Sequence, residues 1–280
     1  MNKNSNDQFK IVVWGARGSI PCPGPQTVRY GGNTSCVEVR CGNQLIIIDA
    51  GSGLRLLGDK LLNEMPLNAT ILISHAHWDH IQGFPFFKPA YIKGNSFNLH
   101  GERQLDIEST LKHQMMYPTF PVTLDEMESE FHFFDLKAHA EIKLADVRIT
   151  TEKLNHPGGI ISFRIDYKDK SLVYATDTEH FSCLDNKLLK FTMDSDVLIY
   201  DADYTPDEYC GKVGISRTTW GHSTWEAGVE MAMAANVKKL ILWHHDPWHD
   251  DNFIDEIQRE AQKVFKNSFA AYEGMEINLL

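Results

Sequence analysis

An apolar run, Ile71-Leu72-Ile73, leads directly into His75-Ala-His-Trp-Asp-His80, which puts four metal-ligand side chains into six positions. The pattern predicts a strand over 69–74 that delivers a ligand-bearing loop where it ends. In extended backbone the alternation His75-x-His77-x-Asp79 turns successive ligands to one side. His80, next to Asp79, points elsewhere, so one short loop can serve two adjacent metals. Imidazole and carboxylate without thiolate suit zinc, and also manganese or iron, in a catalytic rather than a structural site.

Such a loop needs a scaffold. A chain of 280 residues, 42% of them hydrophobic, can bury a full core as one large α/β domain or two small ones. Residues 1–8 are polar and lack a signal peptide's apolar stretch, so they read as a frayed tail ahead of a body over 9–280. No apolar run approaches the roughly 18 residues of a membrane span. Cys22, Cys36, Cys41, Cys183 and Cys210 are odd in number and scattered, as expected of reduced thiols in cytoplasm. With 27 Lys and Arg against 38 Asp and Glu, the net charge is −11 and no basic run offers a track for a nucleic-acid backbone. Long RNA or DNA is disfavoured as a substrate. A small anion held by a few local donors is not.

The first half reads as β-rich. Strands are expected over 9–14, 34–40, 44–48 and 69–74, with a helix through Leu54 to Leu62. Residues 102–135 hold a polar helical stretch and then acidic and aromatic residues. Strands return over 147–154, 160–166, 172–175, 197–200 and 239–243. Ser223-Thr-Trp-Glu226 has the spacing of a capping box opening a helix to about Asn236, and a last helix shows Phe253, Ile257, Ala261 and Val264 on one face. The alternation implies a single α/β domain, a β-sandwich flanked by helices.

Further ligand types stand at the ends of these strands: His156, Asp177 and His244. Strand ends gather along one rim of a sheet, where α/β proteins place their sites. With the 75–80 loop they make seven ligands. The chain thereby resembles the metallo-β-lactamase superfamily, whose His-x-His-x-Asp-His signature stands at His75–His80, with the other ligand motifs in family order from about Phe9 onward. The resemblance implies an αββα sandwich and two divalent ions, zinc with manganese as the alternative. It implies that His75, His77 and His156 hold one ion, that Asp79, His80 and His244 hold the other, and that Asp177 bridges them. His245 rivals His244 for the last place. Asp79 counts as a catalytic residue as well as a ligand.

Trp220-Gly-His-Ser-Thr-Trp225 resembles the His-Ser-Thr element of the ribonuclease Z-like phosphodiesterases, and Leu198-Ile-Tyr-Asp-Ala-Asp203 the strand carrying that histidine's carboxylate partner. By this resemblance Asp201 holds and charges His222, which donates a proton or hydrogen bond to the phosphate being cleaved. Here Asp stands where ribonuclease Z has Glu. The implied activity is hydrolysis of a phosphodiester. Ribonuclease Z enzymes that mature transfer RNA carry a basic Gly/Pro-rich arm that this chain lacks. The expected substrate is therefore small, a cyclic nucleotide or a ribosyl 1,2-cyclic phosphate. The alternatives are a ribonuclease Z-type endonuclease of RNA 3′ ends and a thioester or β-lactam hydrolase. Tyr117, Phe120 and Pro121 read as core cover or a homodimer contact ahead of a base-stacking lid. Arg29 and Asn33 are candidates to touch a phosphate, Arg17 reads as turn chemistry, and His249 stands near the ligands without an assigned role.

Overall fold

The run Leu45-Ile-Ile-Ile48 offers no polar side chain to water, and the strand it forms is covered on both faces. Ile46 and Ile48 face the core between two sheets, while Leu45 and Ile47 join a second core under a helix. The computed structural model describes residues 7–280. Residues 1–6 of the expected tail lie outside the described residues, but Gln8 is already tied to Gly42 by backbone and side-chain hydrogen bonds.

Among the described residues, fourteen strands form two seven-stranded sheets. One runs Glu276–Asn278, Phe9–Gly15, Cys36–Cys41, Gln44–Ile48, Asn68–Leu72, Ser96–Glu102 and Glu130–Leu136 across its width. The other runs Ser268–Ala270, Lys239–Trp243, Val197–Asp201, Lys170–Ala175, Ile161–Tyr167, Val147–Lys153 and Glu141–Leu144. The halves of the chain follow one plan, in which antiparallel strands lead into a parallel run. That run starts at Gln44–Ile48 in the first half and at Lys170–Ala175 in the second. The inner faces meet through side chains such as Val39, Ile46, Phe163, Ile199 and Trp243. Helix Gly53–Leu61 covers one outer face through Leu54, Leu57 and Leu61, and helices Trp225–Ala234 and Asp251–Val264 cover the other. This is the expected αββα sandwich. No described helix is long and apolar enough to cross a membrane.

Two local expectations change. The helix over Trp225–Ala234 is capped by Thr224, which accepts from Ala227 N, and not by Ser223. The Ser223 hydroxyl is drawn into the core instead, donating to Thr178 O beside Tyr200 and His180. The 102–135 stretch contains helix Ile107–Gln114, and its Phe131-His-Phe-Phe134 belongs to an edge strand paired with Ser96–Glu102.

Candidate metal centre

The parallel strands of both sheets end along one edge, and five of them carry a polar residue at or just after that end. Asp49, His75, Asp177, Asp201 and His244 all stand within three residues of such an end. Asp49, Asp177 and His244 occupy left-handed backbone at φ of 60°, 52° and 61°. That conformation is uncommon for residues other than glycine and costs of order 1–3 kcal/mol, a strain characteristic of functional sites. Here it turns the chain sharply off the strand so that the side chain faces the edge.

The structure gathers these side chains into two groups. His75, His77 and His156 form one, with His77 Nδ1 3.0 Å from His156 Nε2. Asp79, His80, Asp177 and His244 form the other, fully buried. Asp177 reaches both: its Oδ2 lies 3.5 Å from His75 Nε2 and 3.3 Å from the Nε2 atoms of His80 and His244. Asp79 Oδ2 lies 3.2 Å from His244 Nε2 and also accepts from Ser19 N at 2.8 Å. Of the two neighbours His244 and His245, only His244 enters the group. His245 turns away, its Nε2 2.8 Å from Ala271 O.

This donor set fits divalent metal. Four N or O ligands at about 2.0–2.1 Å around a tetrahedral zinc stand about 3.3 Å from one another, close to the separations above. The buried Nε2 atoms of His75 and His80 have no hydrogen-bond partner. Leaving such a group unsatisfied costs about 1–3 kcal/mol, which a coordinated cation removes. Burial pushes His75, His77 and His156 below the ordinary imidazole value, toward the neutral form that ligates. Burial also opposes charge on His80 and His244, yet Asp177 and the neighbouring carboxylates draw both well above it. The buried group thus seeks positive charge, and taking up an ion releases those protons.

The imidazoles are oriented from behind by residues that the sequence reading did not single out. Asp49 Oδ2 lies 2.8 Å from His80 Nδ1 and accepts from Ser74 Oγ and Tyr174 OH at 2.8 and 2.7 Å. Asp203 Oδ1 lies 3.4 Å from His244 Nδ1, and Gly221 O lies 2.8 Å from His156 Nδ1. Each arrangement leaves Nε2 toward the cluster. Asp49 was findable: it follows Ile46-Ile47-Ile48 as Asp177 follows its own strand. Gly18 also matters, and not through left-handed backbone. A Cβ there would lie 2.3 Å from His244 Nδ1, so the loop packs flat on that ring.

His222 stands beside both groups, close to His156 and Asp177 on one side and to Asp201 and His244 on the other. Its ring stacks on His244 at 4.4 Å between centroids, and its Nδ1 donates to Asp201 Oδ2 at 2.8 Å. Asp201 is wholly buried and also accepts from Ser223 N and Asp203 N. Burial opposes a charge on His222, but the Asp201 carboxylate outweighs it and holds the imidazole at about 9.

Other candidates fall away. Arg29 pairs with Asp255, and Asn33 bonds to Glu273, so neither faces the ligands. Arg17 is buried, donating to Gly31 O, Asp246 O and His249 O. His249 meets Glu208 at 2.9 Å. Beyond the ligand loop lies a groove of about 600 Å³ lined by Trp78, Phe86, Gln114 and Phe120; Tyr117 is exposed and does not line it.

The model of the Beta-lactamase superfamily domain matches residues 44–245. A protein of Picrophilus torridus named Ribonuclease Z is 26% identical over 97% of this chain and 96% of its own length. Among solved structures, the metallo-beta-lactamase fold protein YhfI of Bacillus subtilis superposes with a TM-score of 0.72 at 20% identity, covering 97% of this chain and 99% of its own. A diphosphatase of the PhnP family does so with 0.69, also at 20% identity, over 96% and 97%.

Proposed function

Because the chain belongs to the metallo-β-lactamase superfamily, in its ribonuclease Z-like branch, we propose that this metal-dependent hydrolase is a phosphodiesterase for a small diester. We place a cyclic nucleotide or a ribosyl 1,2-cyclic phosphate first. The observation that carries the proposal is the Asp201–His222 pair, a buried carboxylate holding an imidazole against the ring of His244. A thioester or β-lactam hydrolase has no use for such a pair.

In this reading His75, His77 and His156 hold one divalent ion, and Asp79, His80 and His244 the other, with Asp177 shared. Zinc is the proposed native metal. When bound, the ions supply Lewis acidity to phosphoryl oxygens and lower the pKa of a water. The rest falls to the chain. Asp201 fixes the His222 tautomer and favours its charged form, and the proton on Nε2 goes to the departing oxygen. A positioned general acid is worth about 10²–10⁴-fold. Asp49, Asp203 and the Gly221 carbonyl keep the ligating imidazoles aimed.

Small size is favoured by charge, since a net −11 surface repels each added phosphate. The scattered free thiols favour a reducing compartment, and the exposed Met116–Tyr117 turn is where we place a homodimer contact. A second reading, ribonuclease Z-type processing of RNA 3′ ends, is favoured by the near full-length match to the Picrophilus torridus protein. A screen of zinc-loaded protein against cyclic nucleotides, ribosyl cyclic phosphate and a transfer-RNA precursor separates the two. We expect small diesters to be cut with little sensitivity to salt. Efficient precursor cleavage, with affinity falling at a log–log slope of roughly −0.7 per contacted phosphate, would establish the second reading instead.

A further inference from the structure

Three large apolar side chains stand exposed around one cavity beside His222: Trp248, Ile20 and Trp220, at 81%, 57% and 46% exposure. Scattered apolar exposure is ordinary, but three such residues around one opening next to a reactive group mark a binding surface. The cavity measures about 280 Å³, just below the roughly 300–1,000 Å³ of small-molecule sites. It has room for one ring system and not for a run of nucleotides.

Its walls are held in place. Arg17 ties down the carbonyls of Asp246 and His249, and Asp246 Oδ1 accepts from Trp248 N at 2.7 Å, so Trp248 rides on a fixed turn. The Arg217 guanidinium lies 4.8 Å from the Trp220 ring centroid and 5.2 Å from that of Tyr204, bracing the second indole. Asp203 and Asp246 line the same cavity. With the Arg217 guanidinium and the charged His222 imidazole on the same wall, these two carboxylates leave no surplus positive charge for a further anionic group, whereas a neutral flat ring gains from the indole faces.

We infer that this cavity is the leaving-group subsite and that it takes a neutral unsaturated ring of the nucleobase class, stacked on Trp248 and Trp220. The inference rests on the phosphodiesterase reading above: His222 gives its proton to the departing oxygen, so the substituent on that oxygen lies on the His222 side. The subsite makes the ring, not the charge, the feature that distinguishes one small diester from another.

The test uses zinc-loaded wild type, Trp248→Ala, Trp220→Ala and Trp248→Phe, each checked for metal content. Hydrolysis of bis-(p-nitrophenyl) phosphate is measured with adenosine or methyl riboside as inhibitor, and binding of both inhibitors is followed by calorimetry. Stacking on an aromatic side chain changes affinity by about 5- to 150-fold per base. Adenosine should therefore bind wild type roughly tenfold or more tightly than methyl riboside. Each alanine variant should lose most of that difference, with KM rising more than kcat falls, and Trp248→Phe should restore it. Adenosine binding no tighter than methyl riboside, or equally well to wild type and to metal-replete alanine variants, would overturn the inference. If wild type hydrolyses no diester, the phosphodiesterase reading fails, and calorimetry still reports whether the ring is bound.

Discussion

Asp201 accepts from His222 Nδ1 at 2.8 Å while its other oxygen takes the backbone N–H groups of Ser223 and Asp203. With Thr178 N as a further donor, a carboxylate held at four points cannot swing away, so the imidazole it carries is fixed in tautomer and direction. His222→Ala should therefore lower turnover by about 10²–10⁴-fold while metal content stays near that of wild type. The loss should be smaller for p-nitrophenyl esters, whose leaving group needs little protonation. Equal losses on activated and unactivated diesters would show that His222 positions phosphate rather than protonating the leaving oxygen.

Among the described residues, Asp177 is the carboxylate that reaches imidazoles of both groups. Asp177→Ala should cost more metal affinity than the roughly 10–100-fold typical of changes behind a ligand, and turnover should fall to background. Metal analysis after dialysis checks it; retention of two ions per chain at full activity would remove Asp177 from the centre.

Gly18→Ala should displace His244 without removing any of the proposed ligands. The added Cβ would lie 2.3 Å from His244 Nδ1, so ring or loop must move. We expect metal affinity to drop about 10–100-fold, read by chelator competition, with little change in the thermal midpoint of the metal-free protein. Unchanged affinity would mean that the loop yields instead of the ring.

The turn carrying Trp248 predicts a pH effect. Burial favours the protonated form of Glu208, but His249 and the Thr205 groups outweigh it and hold the carboxyl at about 2, against an ordinary 4.5. A depressed carboxyl stabilises the fold fully above its unfolded value, and that gain is lost as pH falls through the folded one. Wild type should therefore melt higher than Glu208→Gln at pH 7. The two should converge between about pH 4.5 and pH 2, as thermal unfolding across that range would show.

Much of this was legible because ligand chemistry and strand patterning coincide. His75–His80 follows an apolar run, and His156, Asp177 and His244 each follow another, so periodicity and donor type point to the same positions. The groups that orient the ligands were harder to see. Asp203 and the Gly221 carbonyl act through positions that only the packed sheets create. The capping box misled at Ser223 because a buried network competed for its hydroxyl and left the cap to Thr224. The edge strand Glu130–Leu136 takes its partner from residues about thirty positions back, and nothing in its own charged and aromatic composition declares that pairing.

The two halves of the chain follow one plan, and the centre draws on both. Asp49 and His75 through His80 come from the first half, while His156, Asp177, Asp201, His222 and His244 come from the second. Neither half alone carries the ligand set. An ion held there would fasten one half to the other, a rivet as well as a reagent. Its binding energy would add to folding stability by mass action, and its loss would loosen the molecule along the seam where the sheets meet.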